Sequence, residues 1–305
     1  MVRRWVLVAL PVLLTAGVAV AAVLQQGFGG GPATRGPVSL CTRPGQRFPV
    51  ASVGNGSYQL NPDEWNSQAA LCMSGDGGAD FTVTSSGLSA GADSSAGAPG
   101  AYPRIAYQPG AGELPVPVAS LGDALTSWST TVVPTGRYDV AYDVWLARDA
   151  TGCAAKVPPY ELMVWVNQRG GPVPLGGRLG GSGSTVTLNG KAYLVYGHRP
   201  TSRTSPTDHQ VITYQRAVTT TSVHDLHLRR FIADAVDRGY IPAAGYLCSV
   251  QAGFEIWNGG AGLSTDSFSF RLPGARLPPW PGRGQGGSRG RRQARGGSGA
   301  VGGGA

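Results

Sequence analysis

Short runs of β-branched and aromatic residues, interrupted repeatedly by Gly, Pro, Ser and Asn, most narrow what this chain can fold into. Proline cannot donate to a strand ladder or continue a helix, and glycine weakens the interior of both. With 48 Gly and 23 Pro in 305 residues, short strands between turns are the elements that remain open to it. The spacing predicts strands over 57–60, 70–73, 80–85, 104–108, 127–133, 138–147, 160–167, 185–188, 191–196, 211–216, 246–256 and 264–271. Asn189-Gly190, between Leu188 and Lys191, is the residue pair that a two-residue hairpin turn prefers. One segment has the other period. Leu228, Phe231, Ile232, Ala235 and Val236 recur at helical spacing, with Asp225 as the expected N-cap and Gly239 as the expected stop. Many short strands and one amphipathic helix predict an all-β sandwich, jelly roll or barrel, with the helix laid on a sheet.

The two ends depart from this pattern. Met1-Val2-Arg3-Arg4 precedes Trp5 to Leu24, which is apolar apart from Thr15, and Ala19-Val20-Ala21 offers a cleavage site. Residues 1–24 therefore read as a signal peptide or, if uncut, as a membrane anchor, and in either case the body lies outside the membrane. Residues 25–39 form a Gly-rich linker, 40–272 the folded domain, and 273–305 a Gly/Arg-rich tail with too little apolar content to offset its ordering entropy.

The formal charge of +8 belongs to those ends, because Arg3 and Arg4 lie in the first and six arginines in the last. The body is left neutral, which argues against a basic nucleic-acid-binding domain. Cys41, Cys72, Cys153 and Cys248 predict two disulfides in an exported protein, with three pairings open, and no Cys-x-x-Cys spacing suggests zinc. Gly286-Gly287-Ser288-Arg289-Gly290 fits a nucleophile-elbow pattern but lies in the tail, without a strand before it or a helix after it. His224, Asp225 and His227 have no third His or Cys nearby and read as a polar helix start. Neither a metal nor an organic cofactor is expected.

Period 2 separates the faces of the longer strands. Tyr138, Val140, Tyr142, Val144 and Leu146 share one face, and Asp139, Ala141, Asp143 and Trp145 the other. Leu162, Val164 and Val166 lie opposite Glu161, Met163, Trp165 and Asn167. Val250, Ala252, Phe254 and Ile256 alternate with Gln251, Gly253, Glu255 and Trp257. Three strands thus place carboxylates beside tryptophan on the face away from the core. Flat indoles stack on sugar rings, and hydrolysis of a glycosidic bond needs one acid for the leaving oxygen and a second carboxylate as nucleophile or base. Alternation alone fits a solvated sheet face equally well.

Larger blocks go further. Gly56-Ser57-Tyr58 through Trp65 to Cys72, Tyr142-Asp143-Val144-Trp145-Leu146, Glu161 to Asn167, and Ser249 to Trp257 with its Asn258-Gly259-Gly260 continuation occur in order over roughly 41–271. Together they resemble glycoside hydrolase family 12. The resemblance implies a β-jelly roll of two stacked sheets with a concave cleft, and a retaining endo-β-1,4-glucanase without cofactor. It implies Glu161 as nucleophile, Glu255 as general acid/base and Asp143 in support of the nucleophile. Met163, Trp165 and Asn167 would lie on the sugar-binding face, Trp257 on the leaving-group side, Trp65 at an outer glucose subsite and Tyr102 beside the cleft.

Cys41–Cys72 resembles the family's first disulfide. Cys153 and Cys248 stand eight and seven residues before Glu161 and Glu255, so the two cysteines should meet if the glutamates do. Where the family has two asparagines before the cleft tryptophan and a glycine after it, this chain has Pro62, Asp63 and Asn66. That departure bears on the outer subsite, since a carboxylate accepts but cannot donate as an amide would. The expected partner is a β-glucan, either β-1,4-linked, mixed-linkage or xyloglucan, with no nucleic acid, and the protein is expected to be a secreted monomer. A carbohydrate-binding jelly roll with weak turnover is the alternative.

Overall fold

The computed structural model describes residues 36–89, 97–108, 113–181, 183, 185–200 and 209–272. The segment 1–24, most of the 25–39 linker, the tail and its Gly-x-Ser-x-Gly sequence lie outside the described residues. The first strand, Val38–Cys41, begins two residues inside the segment assigned to the linker, and Val38 is already buried.

Two sheets stack face to face. The smaller has six strands among the described residues, in the order Val38–Cys41, Leu71–Gly75, Phe81–Ser86, Ser264–Arg271, Leu125–Thr131 and Ser222–His227. The main path of the larger runs Gly177–Arg178, Lys191–His198, Gln210–Arg216, Tyr160–Arg169, Arg137–Ala147, Tyr246–Gly253, Arg104–Tyr107, Tyr58–Asn61 and Ala51–Val53. Val186–Leu188, Ile256–Asn258 and Val116–Pro117 attach to its members. Pairing is antiparallel except between Tyr160–Arg169 and Gln210–Arg216. This is a β-jelly roll with a single α-helix among the described residues.

The core lies between the sheets, and the predicted alternation builds it. Tyr138, Val140, Tyr142, Val144 and Leu146 enter it together with Leu162, Val164, Val250, Ala252 and Phe254. Phe81 and Trp128 of the smaller sheet meet Phe254 with ring centroids 5.7 and 6.1 Å apart. The helix Leu228–Asp237 buries Leu228, Phe231, Ile232 and Ala235. Its Phe231 packs edge-on against Tyr193 and Tyr214, at 5.1 and 5.3 Å. Gly239 ends it with φ +71°, as expected of a left-handed stop. Asn189 and Gly190, at φ +50° and +69°, close the predicted hairpin.

Three expectations change. Asp225 is not the N-cap: His227 occupies that position without a side-chain cap, and Asp225 lies in the preceding strand Ser222–His227. Buried Val223 and Leu226 are three residues apart, so the ladder bulges between them and Asp225 takes φ +46° to return Leu226 to the core. The 246–256 run breaks into Tyr246–Gly253 and Ile256–Asn258, leaving Phe254 and Glu255 between the two strands. A bulge after Trp165 pairs Asn167 with core-facing Val140, so Asn167 leaves the alternation of Trp165.

Cys41 pairs with Cys72 and Cys153 with Cys248. The second bridge packs with Trp145, Ala147 and Val157 beneath the outer face of the larger sheet. A cross-link stabilises in proportion to the logarithm of the loop it closes in the unfolded chain. The 95-residue separation of Cys153 and Cys248 should therefore outweigh the 31 residues between Cys41 and Cys72 by about 1 kcal/mol. Urea unfolding of the double variants Cys153→Ser/Cys248→Ser and Cys41→Ser/Cys72→Ser is expected to show that order. Equal or reversed losses would rule out loop closure as the dominant contribution.

Candidate active site

The outer face of the larger sheet carries a cleft of about 470 Å³, and its floor comes from the central strand Arg137–Ala147 and its neighbours. In register, Glu161 lies across from Trp145, and Met163 from Asp143. On the other side Gln251 lies across from Asp143 and Ser249 from Trp145. Glu161, Asp143, Met163, Trp145, Trp165, Gln251, Glu255 and Trp257 all line the cleft, as do Trp65 and Tyr102. Asn167 does not: its amide donates to the Thr220 carbonyl at 3.2 Å, and its oxygen accepts from the Gln168 N–H. The structure thus brings together every site residue expected from sequence except Asn167.

Local packing sets the side chains. Ala141, Met163, Trp165, Val211 and Trp257 form an apolar cluster on the floor. Trp257 meets Trp165 edge-on at 6.5 Å, donates from Nε1 to the Gly97 carbonyl at 2.6 Å, and carries the Arg137 guanidinium 5.3 Å from its ring centre. Tyr102 donates to the Ala141 carbonyl at 3.0 Å. Gly253 lets this segment approach, since a Cβ there would stand 2.4 Å from the Pro103 oxygen. Val173 and Leu175, both exposed, form an apolar lip.

Glu255 sits in the strand break and is held by Asp139 of the central strand. Asp139 N–H donates to the Glu255 carbonyl at 3.0 Å, and Glu255 N–H donates to Asp139 Oδ1 at 3.2 Å. Glu161 Oε2 is 2.7 Å from His209 Nε2, and the His209 ring lies 5.0 Å from that of Trp145. Asp63, also on the cleft wall, is ion-paired with buried Arg104 and has φ +41°. Its N–H donates to the Asn61 side chain at 2.7 Å.

Crowding of carboxyls governs the electrostatics. Burial pushes Glu255 up to about 7, with the Glu161 charge adding to the rise and the hydrogen bond from Asp139 opposing it. Asp143 is raised well above the usual carboxylate range by burial and then by the charges of Glu161 and Glu255. Asp139 is raised well above it by burial and by Glu255. Asp63 rises to about 6 through burial, with Arg104 limiting the shift.

The sequence model of glycosyl hydrolase family 12 matches residues 56–273, which spans all of these residues. The chain belongs to that family. It is 30% identical over 159 residues to the probable cellulase Cel12b of Mycobacterium tuberculosis, which is 52% of this chain and 97% of that protein. It is also 30% identical over 135 residues to the xyloglucan-specific endo-β-1,4-glucanase A of Aspergillus niger, but spans only 52% of that relative's length. Among solved structures, the endoglucanase Cel12A of Rhodothermus marinus superposes with a TM-score of 0.66 at 33% identity, covering 77% of this chain and 98% of that one. A metagenome-derived family 12 endoglucanase gives 0.68 at 30%, covering 78% and 99%. This protein is accordingly a glycoside hydrolase.

Two residues in contact with the glutamates of this family 12 site were given no role by the sequence reading, although it placed Asp139 on the face of Asp143. Asp139 lies on the cleft face of a correctly assigned strand, four residues before Asp143, and that spacing could have marked it. His209 had no such signal. It lies just before Gln210–Arg216, and a parallel pairing joins it to Glu161 across 48 residues.

The raised carboxyls set the direction of pH-dependent stability. Between the unfolded values near 4 and folded values of about 6 for Asp63 and 7 for Glu255, the native state holds more protons than the unfolded one. The stabilisation present below that window is lost as pH rises through it. Calorimetry is expected to show a lower Tm at pH 8 than at pH 5, with a smaller drop for Glu255→Gln, which stays neutral throughout. A rising Tm over this window would contradict the assignment.

Proposed function

We propose that this protein is a secreted, retaining endo-β-1,4-glucanase that cuts internal bonds of cellulose-type glucan. The observation that carries the reading is an open cleft lined by Glu161, Glu255 and four tryptophans, in a body with no net charge. Indoles offer flat apolar faces to an uncharged sugar chain. The Cel12 relatives support the reading, as do two disulfides suited to an oxidising compartment.

Glu161 is the nucleophile in this mechanism and Glu255 the acid. Glu255 protonates the glycosidic oxygen as Glu161 bonds to the anomeric carbon. Water then attacks that carbon and returns a proton to Glu255 as the Glu161 bond breaks. Burial and the neighbouring negative charge keep Glu255 protonated at mildly acidic pH, as an acid requires. Asp143, pushed towards its neutral form, adds no second negative charge beside Glu161. Met163 and Trp165 form the floor at the point of cleavage, Trp257 the leaving-group side and Trp65 an outer subsite.

Purified protein incubated with carboxymethyl-cellulose, mixed-linkage glucan and xyloglucan is expected to release reducing ends most rapidly from the unbranched glucans. Glu161→Gln and Glu255→Gln should each lose at least about 100-fold in rate. Xyloglucan as the best substrate would move the assignment to a xyloglucanase, and binding without release would leave a carbohydrate-binding protein. NMR of the first product should show the β-anomer; the α-anomer would rule out retention.

The rate should also fall as pH rises past about 7, where Glu255 loses the proton it must deliver. A profile that stays flat to pH 9 would remove Glu255 from that role.

A further inference from the structure

We propose that His209 is a positioning residue for the reacting carboxylate, holding one oxygen of Glu161 so that the other forms the bond to the sugar. The inference rests on the reading of Glu161 as nucleophile. His209 Nε2 lies 2.7 Å from Glu161 Oε2. An ionised carboxylate only accepts, so Nε2 carries the hydrogen in this contact.

Backbone pairing brings Glu161 of one strand to His209, the residue just before its parallel neighbour. Glu161 is in register with Val211 of the parallel neighbour, and Gln210 N–H donates to the Pro159 carbonyl at 3.0 Å, which anchors the chain next to His209. Trp145, in register with Glu161 on its other side, lies against the imidazole at 5.0 Å. Behind Trp145 stands the Cys153–Cys248 bridge. Glu161 is therefore bracketed by two rings, one of which donates to it.

The resemblance assigns support of the nucleophile to Asp143. Asp143 Oδ1 is buried without a hydrogen-bond partner, whereas His209 makes the hydrogen bond to Glu161 among the described residues. Fixing Oε2 reduces the rotamer freedom that a glutamate would lose on reaching the anomeric carbon, and a charge-assisted hydrogen bond suits that task. Oε1 then forms the bond to that carbon as the glycosidic C–O bond breaks and the Glu255 proton passes to the leaving oxygen. On return, water bonds to the carbon, its proton goes to Glu255, and the Oε1 bond breaks. His209 keeps its hydrogen throughout, so it positions the nucleophile without exchanging a proton.

The test uses the full chain and 2,4-dinitrophenyl 2-deoxy-2-fluoro-β-cellobioside, which accumulates the glycosyl-enzyme. Peptide mass mapping of the wild type should find the label on Glu161; a label elsewhere would overturn the nucleophile reading itself. With that label in place, trapping rates are compared for wild type, His209→Leu and His209→Gln. The values of kcat and KM are compared on dinitrophenyl β-cellobioside, whose leaving group needs no acid. His209→Leu should slow trapping and kcat by roughly 10–100-fold with KM within about 2-fold, because geometry and not sugar binding is lost. His209→Gln, which restores an N–H donor at similar reach, should recover most of the rate. Wild-type trapping by His209→Leu, or His209→Gln no faster than His209→Leu, would overturn the inference. If His209→Leu does not fold, His209→Met serves as the variant without a donor.

Discussion

The register of the central strand Arg137–Ala147 is the constraint on which the rest of the site depends. It is hydrogen-bonded on both sides and nearly buried along its length, so its two faces have no freedom to exchange. A slip of one residue would turn Tyr138, Val140, Tyr142, Val144 and Leu146 out of the core and drive Asp139 and Asp143 into it. Removing five large apolar side chains from the core would cost several kcal/mol, on the order of 1.5–3 kcal/mol for each. The core therefore selects a single register, and that register places Glu161 beside Trp145 and Asp143 beside both Met163 and Gln251.

The same strand concentrates charge. Asp139 and Asp143 stand on it, Glu161 and Glu255 beside it, and Asp63 on the cleft wall. Such crowding could not persist with every group ionised, and the cluster is relieved in two ways. Burial and mutual repulsion push Asp139, Asp143 and Glu255 towards their protonated forms, while Arg104 and His209 each hold one carboxyl. The two glutamates differ by environment, because Glu255 meets another carboxyl and Glu161 meets a donor, a difference that suits the proposed roles of acid and nucleophile.

Where a segment obeyed one period from end to end, the sequence was legible. The strand 138–147, residues 160–165 of its neighbour, the Asn189-Gly190 hairpin and the apolar stripe of the helix were read correctly because local sterics and burial agree there. Reading failed where tertiary packing inserted or removed a residue. Two buried side chains three apart, Val223 and Leu226, demanded a bulge and turned the expected N-cap Asp225 into a strand residue. The bulge after Trp165 moved Asn167 off the cleft, and nothing in Trp165-Val166-Asn167 distinguishes it from plain alternation. His209 was illegible for another reason: a parallel contact across 48 residues leaves no local trace.

The departure at residues 62–66 shows how a site can change one residue type and keep its charge balance. On sequence alone, Asp63 in place of an amide pointed to an altered outer subsite, because it can accept from a sugar but not donate. The structure pairs that carboxylate with a buried cation. Arg104, buried two residues beyond Tyr102, pairs with Asp63 and offsets the charge introduced into the wall. Asp63 lines the cleft, and Arg104 does not. Burial raises Asp63 to about 6, and Arg104 limits the rise. The charge of that wall is thus balanced from behind, by a residue outside the cleft lining.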